Sequence, residues 1–181
     1  MHRKNLREKL KRYRPADKTE TEDKQKMLNF LNLNEACFER SLSTGHFTSS
    51  CWLENYDSTK FLMTLHKKLG FWLQLGGHAD GDSDLIRVSL KEAREESGLK
   101  NIKLLSNEIF DIGVHMVSKY EKTPEHYHYD VRFLSRATDD NEEIQISDES
   151  MDLRWFAEIP TLHPGVSPDV PRMFKKWKSL W

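Results

Sequence analysis
Leu6, Leu10 and Tyr13 recur at helical spacing near the start of the chain, Pro15 breaks the run, and Met27, Phe30 and Leu31 begin a second amphipathic pattern. These positions predict a helical N-terminal segment over residues 1–44. From Gly45 onward the period shortens to the alternation of strands. Strand patterns run over 46–54, 60–65 and 71–75, separated by the turn-rich NYDSTK and by HKKLG, and they predict a meander that leads into the pair Gly76 and Gly77. Further strands are predicted over 103–117 with an interruption, over 126–137 and over 153–157. In PDVPRMFKKWKSLW, Val170, Phe174 and Trp177 fall at i, i+4 and i+7 and predict a closing amphipathic helix. The chain contains no internal repeat and no low-complexity tract.

One more helix is bounded by its own ends. Ser83 or Asp84 can cap its start, and Gly98 followed by Leu99 supplies a left-handed stop with an apolar partner. At about 100° per residue, Ile86, Leu90, Ala93 and Ser97 point one way and Arg87, Lys91 and Arg94 point roughly opposite. Glu92, Glu95 and Glu96 fill a stripe between them.

Composition narrows the functions open to such a chain. Its 181 residues are 37% hydrophobic and 31% charged, enough for one sizeable core. With 28 basic and 29 acidic residues and a net charge of −1, no global field marks it as a binder of nucleic acid or of an anionic membrane, so phosphate recognition has to be local. The two cysteines, Cys37 and Cys51, make no disulfide framework and lack metal-ligand spacing, which fits small buried packing residues. The opening MHRKNLREKLKRYRP has no apolar h-region, and no apolar run is long enough to span a bilayer. These features predict a soluble, cytoplasmic protein.

The glutamate stripe raises a question of charge. Like charges at i,i+4, such as Glu92 and Glu96, repel by roughly 0.2–0.5 kcal/mol. Carboxylates at i, i+3 and i+4 also stand close enough to share a hard divalent cation such as Mg²⁺, which turns the repulsion into ligation. A solvated helix face is the competing explanation, because Glu96 can pair with Lys100 and Lys91 with Glu95. EAREE alone leaves both readings open.

The stretch GGHADGDSDLIRVSLKEAREESGL, taken whole, resembles the Nudix box, G-x5-E-x7-R-E-U-x-E-E-x-G-U, with Gly77, Glu92, Ala93, Glu95, Glu96, Gly98 and Leu99 in register. The resemblance covers roughly residues 45–157. It departs at Ser83, where the family usually has glutamate, and at Lys91, where it has arginine. There a carboxylate–guanidinium brace between loop and helix becomes a weaker contact, with Asp82 or Asp84 able to take over Lys91.

The resemblance implies an α/β fold, the Nudix α/β/α sandwich with a mixed sheet between helices. It divides the chain into a helical extension over 1–44 and a Nudix domain over 45–181, with the extension packed outside the sandwich. The implied activity is hydrolysis of a nucleoside diphosphate derivative using Mg²⁺ or Mn²⁺. Glu92, Glu95, Glu96 and the Gly77 carbonyl become the metal ligands, and Glu96 or Glu149 the general base. Substrate contacts are expected from His78 directly after the glycines, from His66 and Lys68 in the preceding loop, and from Arg132 and His128.

In HYHYDVRFL, strand alternation puts His126, His128, Asp130 and Arg132 on one face and Tyr127, Tyr129, Val131 and Phe133 on the other. The polar face suits either a substrate cleft or a solvent-facing edge strand. Two histidines at i and i+2 make no metal site by themselves, since the sequence shows no spaced third ligand. Trp52, Trp72, Trp155 and Phe156 read as core. Two other functions share the implied architecture. One is a nucleotide-binding sensor without catalysis. The other is isopentenyl diphosphate isomerase, which needs a cysteine near Gly76, whereas Cys37 and Cys51 lie upstream. The N-terminal extension is open to two roles, a cover over the cleft or a homodimer contact.

Overall fold
α1 (Lys4–Arg12) and α2 (Lys18–Leu33) form where the helical spacing predicts them, in a computed structural model that describes residues 3–119, 124–161 and 165–180. Asp17 caps α2 by accepting the Glu20 N–H at 2.8 Å, and Glu20 reaches back to the Ala16 N–H at 2.6 Å. The strands are β1 (Gly45–Glu54), β2 (Phe61–His66), β3 (Trp72–Leu73), β4 (Leu75–His78), β5 (Ile102–Leu104), β6 (Asp111–Val117), β7 (His126–Ala137) and β8 (Ser150–Phe156). α3 (Leu85–Ser97) follows β4, and α4 (Val170–Lys178) closes the chain.

The strands make one mixed sheet. β7 runs parallel to β1 from Gly45 opposite Tyr127 to Glu54 opposite Arg136, and the other strand pairs are antiparallel. The interruption expected within 103–117 is real: β5 and β6 both pair with β7, at opposite ends of it. β7 is therefore an interior strand, flanked by β1 on one side and by β5 and β6 on the other. That removes the edge-strand explanation of its polar face.

β1 is buried at every position because each of its faces is covered by a different layer. Phe47 packs with Leu10, Leu31 and Phe38, while Cys51 and Leu53 pack with Ala93 of α3. α3 is pinned there by Ser89 Oγ donating to the Ser50 carbonyl at 2.9 Å and by Ser49 Oγ donating to the Leu85 carbonyl at 2.6 Å. On the opposite face Trp52 packs with Phe61, Val170 and Trp177, and the Trp177 indole N–H donates to buried Glu54 at 2.6 Å. Trp52 and Trp72 are core, as expected, and Trp155 and Phe156 pack against it.

The N-terminal helices are a layer of this structure. Leu6, Leu10, Met27, Phe30 and Leu31 share one apolar cluster with Phe47, Ile112, Val131 and Phe133 of the sheet, so the core runs across residue 44. Glu20, fully buried, ties α2 to α4 through Lys176 and Arg172, and Asp23 accepts the Val114 N–H at 3.1 Å. Among the described residues no helix is long and apolar enough to cross a membrane.

Candidate active site
α3 starts at Asp84, whose side chain accepts the Arg87 N–H at 3.2 Å, and stops at Gly98, which adopts φ 73° and donates its N–H to the Arg94 carbonyl. Asp84 rather than Ser83 is the cap. Between those ends the helix lies across β1 and β4 and brings its glutamates back toward the pair of glycines. Glu96 accepts the Gly76 N–H at 3.2 Å and is only 8% exposed. Glu92 lies over Gly77, where a Cβ would come within 2.4 Å of Glu92 Oε2. Burial raises both carboxyls, Glu96 up to about 8, and the charges of neighbouring carboxylates, Glu149 among them, raise them further.

Glu95 is placed differently. Its side chain is 58% exposed and is held by Lys91, whose ammonium lies 3.1 Å from both Glu95 Oε2 and Glu92 Oε1. Lys91 therefore pairs with Glu95, as the i,i+4 spacing allows, and with Glu92, and takes neither Asp82 nor Asp84 as the alternative partner. The reason is local. Asp84 is spent on the cap, and Asp82 forms a two-pronged pair with Arg87, both bonds 2.7 Å. That pair braces the loop to the helix one turn before Lys91. A second clamp holds the same loop from outside. Arg40 grips Asp80 with two 2.5 Å bonds, and Asp80 and Gly81 both adopt positive φ, 48° and 85°.

His66 lies at the end of β2, and its Nδ1 accepts the Lys68 N–H at 3.1 Å. Burial pushes its ring down, while the nearby charge of Glu149 acts in the opposite sense. Glu149 is exposed in the loop before β8, where its carbonyl accepts the Lys67 N–H at 3.0 Å. The 66–68 loop and Glu149 thus lie together, and Glu149 is within electrostatic reach of Glu92, Glu96 and His78. Lys68 is exposed on that loop.

Arg132 does not occupy the place expected of a phosphate contact. It is 1% exposed, and its guanidinium donates to Asp130 and Asp111 at 2.7 Å and to Asp169 at 2.7 Å. Gly113 makes the room, since a Cβ there would meet Arg132 Nη2 at 2.7 Å. Asp130 in turn accepts the hydroxyls of Thr48 at 3.0 Å and Ser50 at 2.9 Å. Arg132 thus anchors the polar floor on this face of β1 and β7.

His78 and His128 are brought together, and two further histidines join them. His46 of β1 and His126 of β7 complete a group of imidazoles on the same face. Burial and the neighbouring imidazoles push His46 down to about 4 and His128 to about 3, so both rings are neutral at pH 7. Sequence reasoning missed His46, because it sits 80 residues and one parallel strand pairing away from His126. The cysteines are buried packing residues: burial pushes both thiols up to about 11, and neither is presented at Gly76.

No family model matches the chain, and no curated protein does. Solved structures do. A hydrolase of the Nudix family from Clostridium perfringens is 24% identical, with TM-score 0.57 over 75% of this chain and 98% of its own. A MutT Nudix hydrolase from Burkholderia pseudomallei is 18% identical, with TM-score 0.53 over 74% and 98%. The Ap4A hydrolase of C. elegans, as a binary complex, is 12% identical, with TM-score 0.53 over 74% and 96%. The similarity spans about three quarters of the chain, and the chain has the Nudix fold.

Proposed function
We propose that the chain hydrolyses the diphosphate linkage of a nucleoside diphosphate derivative with Mg²⁺ or Mn²⁺ as its cation. The observation that carries this reading is the return of Glu92 and Glu96 onto Gly76 and Gly77. The donor set fits a hard divalent ion: it is all oxygen, Glu92 lies over Gly77, and the Lys91 ammonium already serves as a counter-cation to two of the carboxylates. Glu92, Glu95, Glu96 and the Gly77 carbonyl are the residues to hold it. When bound, such an ion neutralises diphosphate charge and makes an attacking water more acidic.

The chain's own groups supply the rest. The Gly76 N–H orients the Glu96 carboxylate, and either Glu96 or Glu149 accepts the proton of the attacking water. His78, His66, Lys68 and His128 are the proposed substrate contacts, while Arg132 acts through Asp130 as a positioning residue. A second reading, a nucleotide sensor without turnover, is favoured by one observation: Lys91 places a fixed positive charge on two of the glutamates that would hold the metal.

The test is Mg²⁺-dependent release of nucleotide or phosphate from a panel of ADP-ribose, dinucleoside polyphosphates, nucleoside triphosphates and CDP-alcohols. Dinucleoside polyphosphates belong in the panel because one similar structure is an Ap4A hydrolase. Turnover that falls at least ~100-fold in Glu92→Gln, Glu95→Gln or Glu96→Gln supports the proposal. Turnover indifferent to chelator and to all three substitutions sinks it, and so does silence across the panel. Tight nucleotide binding with no product supports the sensor.

A further inference from the structure
β1, β4 and β7 deliver histidines to one spot. The parallel register sets His46 opposite His128, and the antiparallel register sets His78 opposite Thr48, two residues along the same face. The ring centroids of His46, His78 and His128 form a near-equilateral triangle with sides of 5.1, 5.0 and 4.8 Å. One ring nitrogen of each lies within 4.8 Å of the other two, a convergence that Glu92, Glu95 and Glu96 do not reach among the described residues. His126 adjoins the triangle, 5.0 Å from His128 and 5.1 Å from His46.

Two details distinguish this group from ordinary core histidines. His46 is 2% exposed, and neither of its ring nitrogens has a hydrogen-bond partner. A buried polar side chain normally has one, so an unpartnered ring aimed at other imidazoles calls for an occupant between them. The second detail is the tautomer of His126. Its Nδ1 lies 2.9 Å from the Pro124 carbonyl, which can only accept, so Nδ1 donates there and Nε2 faces His128 Nε2 at 3.1 Å. A backbone carbonyl on the outer nitrogen is the arrangement that fixes metal-ligating histidines.

We infer that His46, His78 and His128, with His126 as a fourth donor, bind a divalent transition-metal ion of the Zn²⁺ class. The donors are imidazoles, which suit Zn²⁺, Co²⁺, Ni²⁺ or Cu²⁺ and not the oxygen-seeking Mg²⁺. Nitrogens around a tetrahedral ion with Zn–N near 2.0–2.1 Å stand roughly 3.3 Å apart. His126 Nε2 and His128 Nε2 are already 3.1 Å apart, and the nitrogens of His46, His78 and His128, within 4.8 Å of one another, have to draw in by up to about 1.5 Å to reach that spacing. The imidazole site stands across the sheet from the carboxylates: His78 pairs with Thr48, on the face opposite the one where Gly77 pairs with Ser49 and meets Glu92. It does not rest on the hydrolase reading, since a chain that turns over no substrate can still bind this ion.

The experiment uses the full chain without a histidine tag, stripped with chelator and titrated with Co²⁺ and then Zn²⁺. Expected is one equivalent of Co²⁺ with the intense visible bands of a low-coordinate nitrogen site, discharged by Zn²⁺. X-ray absorption on the Zn²⁺-loaded, unsubstituted protein should show at least three imidazole ligands. His78→Gln and His128→Gln should each weaken Zn²⁺ by at least ~10-fold, and Glu92→Gln should leave it unchanged. Only the weak bands of an octahedral oxygen site, an absorption spectrum without imidazole scattering, or Zn²⁺ binding lost in Glu92→Gln and kept in both histidine variants would each overturn the inference. The absorption measurement needs no variant, so a variant that fails to fold leaves the answer intact.

Discussion

Glu92 Oε2 lies so close over Gly77 that a Cβ on that glycine would come within 2.4 Å of it. The atom met is the far end of a flexible side chain, so Gly77→Ala should fold and should displace the carboxylate. A misplacement of this size at a reacting centre costs on the order of 100-fold in rate. The adjacent glycine behaves differently. A Cβ on Gly76 would meet the Ser50 backbone Cα at 2.7 Å, where β4 pairs with β1. Gly76→Ala should therefore lower the melting temperature, while Gly77→Ala lowers Mg²⁺-dependent turnover at nearly unchanged melting temperature. Thermal melts and turnover on both variants check this split, and equal losses of stability in the two would refute it.

Lys91 competes with any cation for Glu92 and Glu95. Lys91 and Glu95 lie largely in water while the Glu92 side chain is 16% exposed, so the exposed Lys91–Glu95 pair is worth up to about 1 kcal/mol, or roughly fivefold in binding. Lys91→Ala should tighten Mg²⁺ by about two- to fivefold, read from the rise in melting temperature with Mg²⁺ concentration. Weaker Mg²⁺ binding in this variant would mean that Lys91 organises the carboxylates and does not screen them.

The helix that carries the glutamates was legible because its signals are local: an Asp84 cap, a Gly98 stop and an apolar stripe between them. The interruption in 103–117 was legible too, because the alternation itself breaks there. What the sequence hid is long-range. Whether β7 lies at an edge or in the interior depends on pairings with β1 and β6, and periodicity sees only the strand's own two faces. For the same reason Arg132 read as a phosphate contact, when Asp111 and Asp169, from β6 and the start of α4, close around it. The histidine group needs three strands before its third ligand exists. The Lys91–Glu95 pair was legible at i,i+4, while Asp82 does not take Lys91 because it has a nearer and better-shaped partner in Arg87.

The buried charges on β6 and β7 predict a response to acid. Burial alone would raise the Asp111 carboxyl, but the hydrogen bonds from Arg172 and the charges of Arg132, Lys176 and Arg172 outweigh it and hold it well below the usual carboxylate range. A depressed folded-state pKa means the unfolded chain takes up the proton first. The contribution is complete above the unfolded value near 4 and is lost as pH falls below it. Melting temperature should drop steeply below about pH 4. Arg132→Met, which leaves Asp111, Asp130 and Asp169 short of a shared partner, should cost about 3–5 kcal/mol at pH 7. Urea unfolding at both pH values measures each effect, and an Arg132→Met variant as stable as the parent would show that the network contributes nothing net.

Removing residues 1–44 tests whether the N-terminal helices are an appendage or a layer. Leu10, Met27, Phe30 and Leu31 cover Phe47, Ile112, Val131 and Phe133, all of them buried, and deletion would bare that side of the central strands at once. It would also strip Glu20 from Lys176 and Arg172, leaving cations of α4 beside Asp111 with one carboxylate fewer, and remove Asp23 from the Val114 N–H. Apolar burial is worth roughly 25 cal/mol per Å², so uncovering several large side chains removes an amount comparable with the roughly 5–15 kcal/mol by which a domain is stable. The 45–181 fragment should aggregate or melt without a cooperative transition and should bind a hydrophobic dye that the full chain does not. A fragment that unfolds cooperatively within a few degrees of the full chain would show that the sheet and its other helices hold the core without this layer.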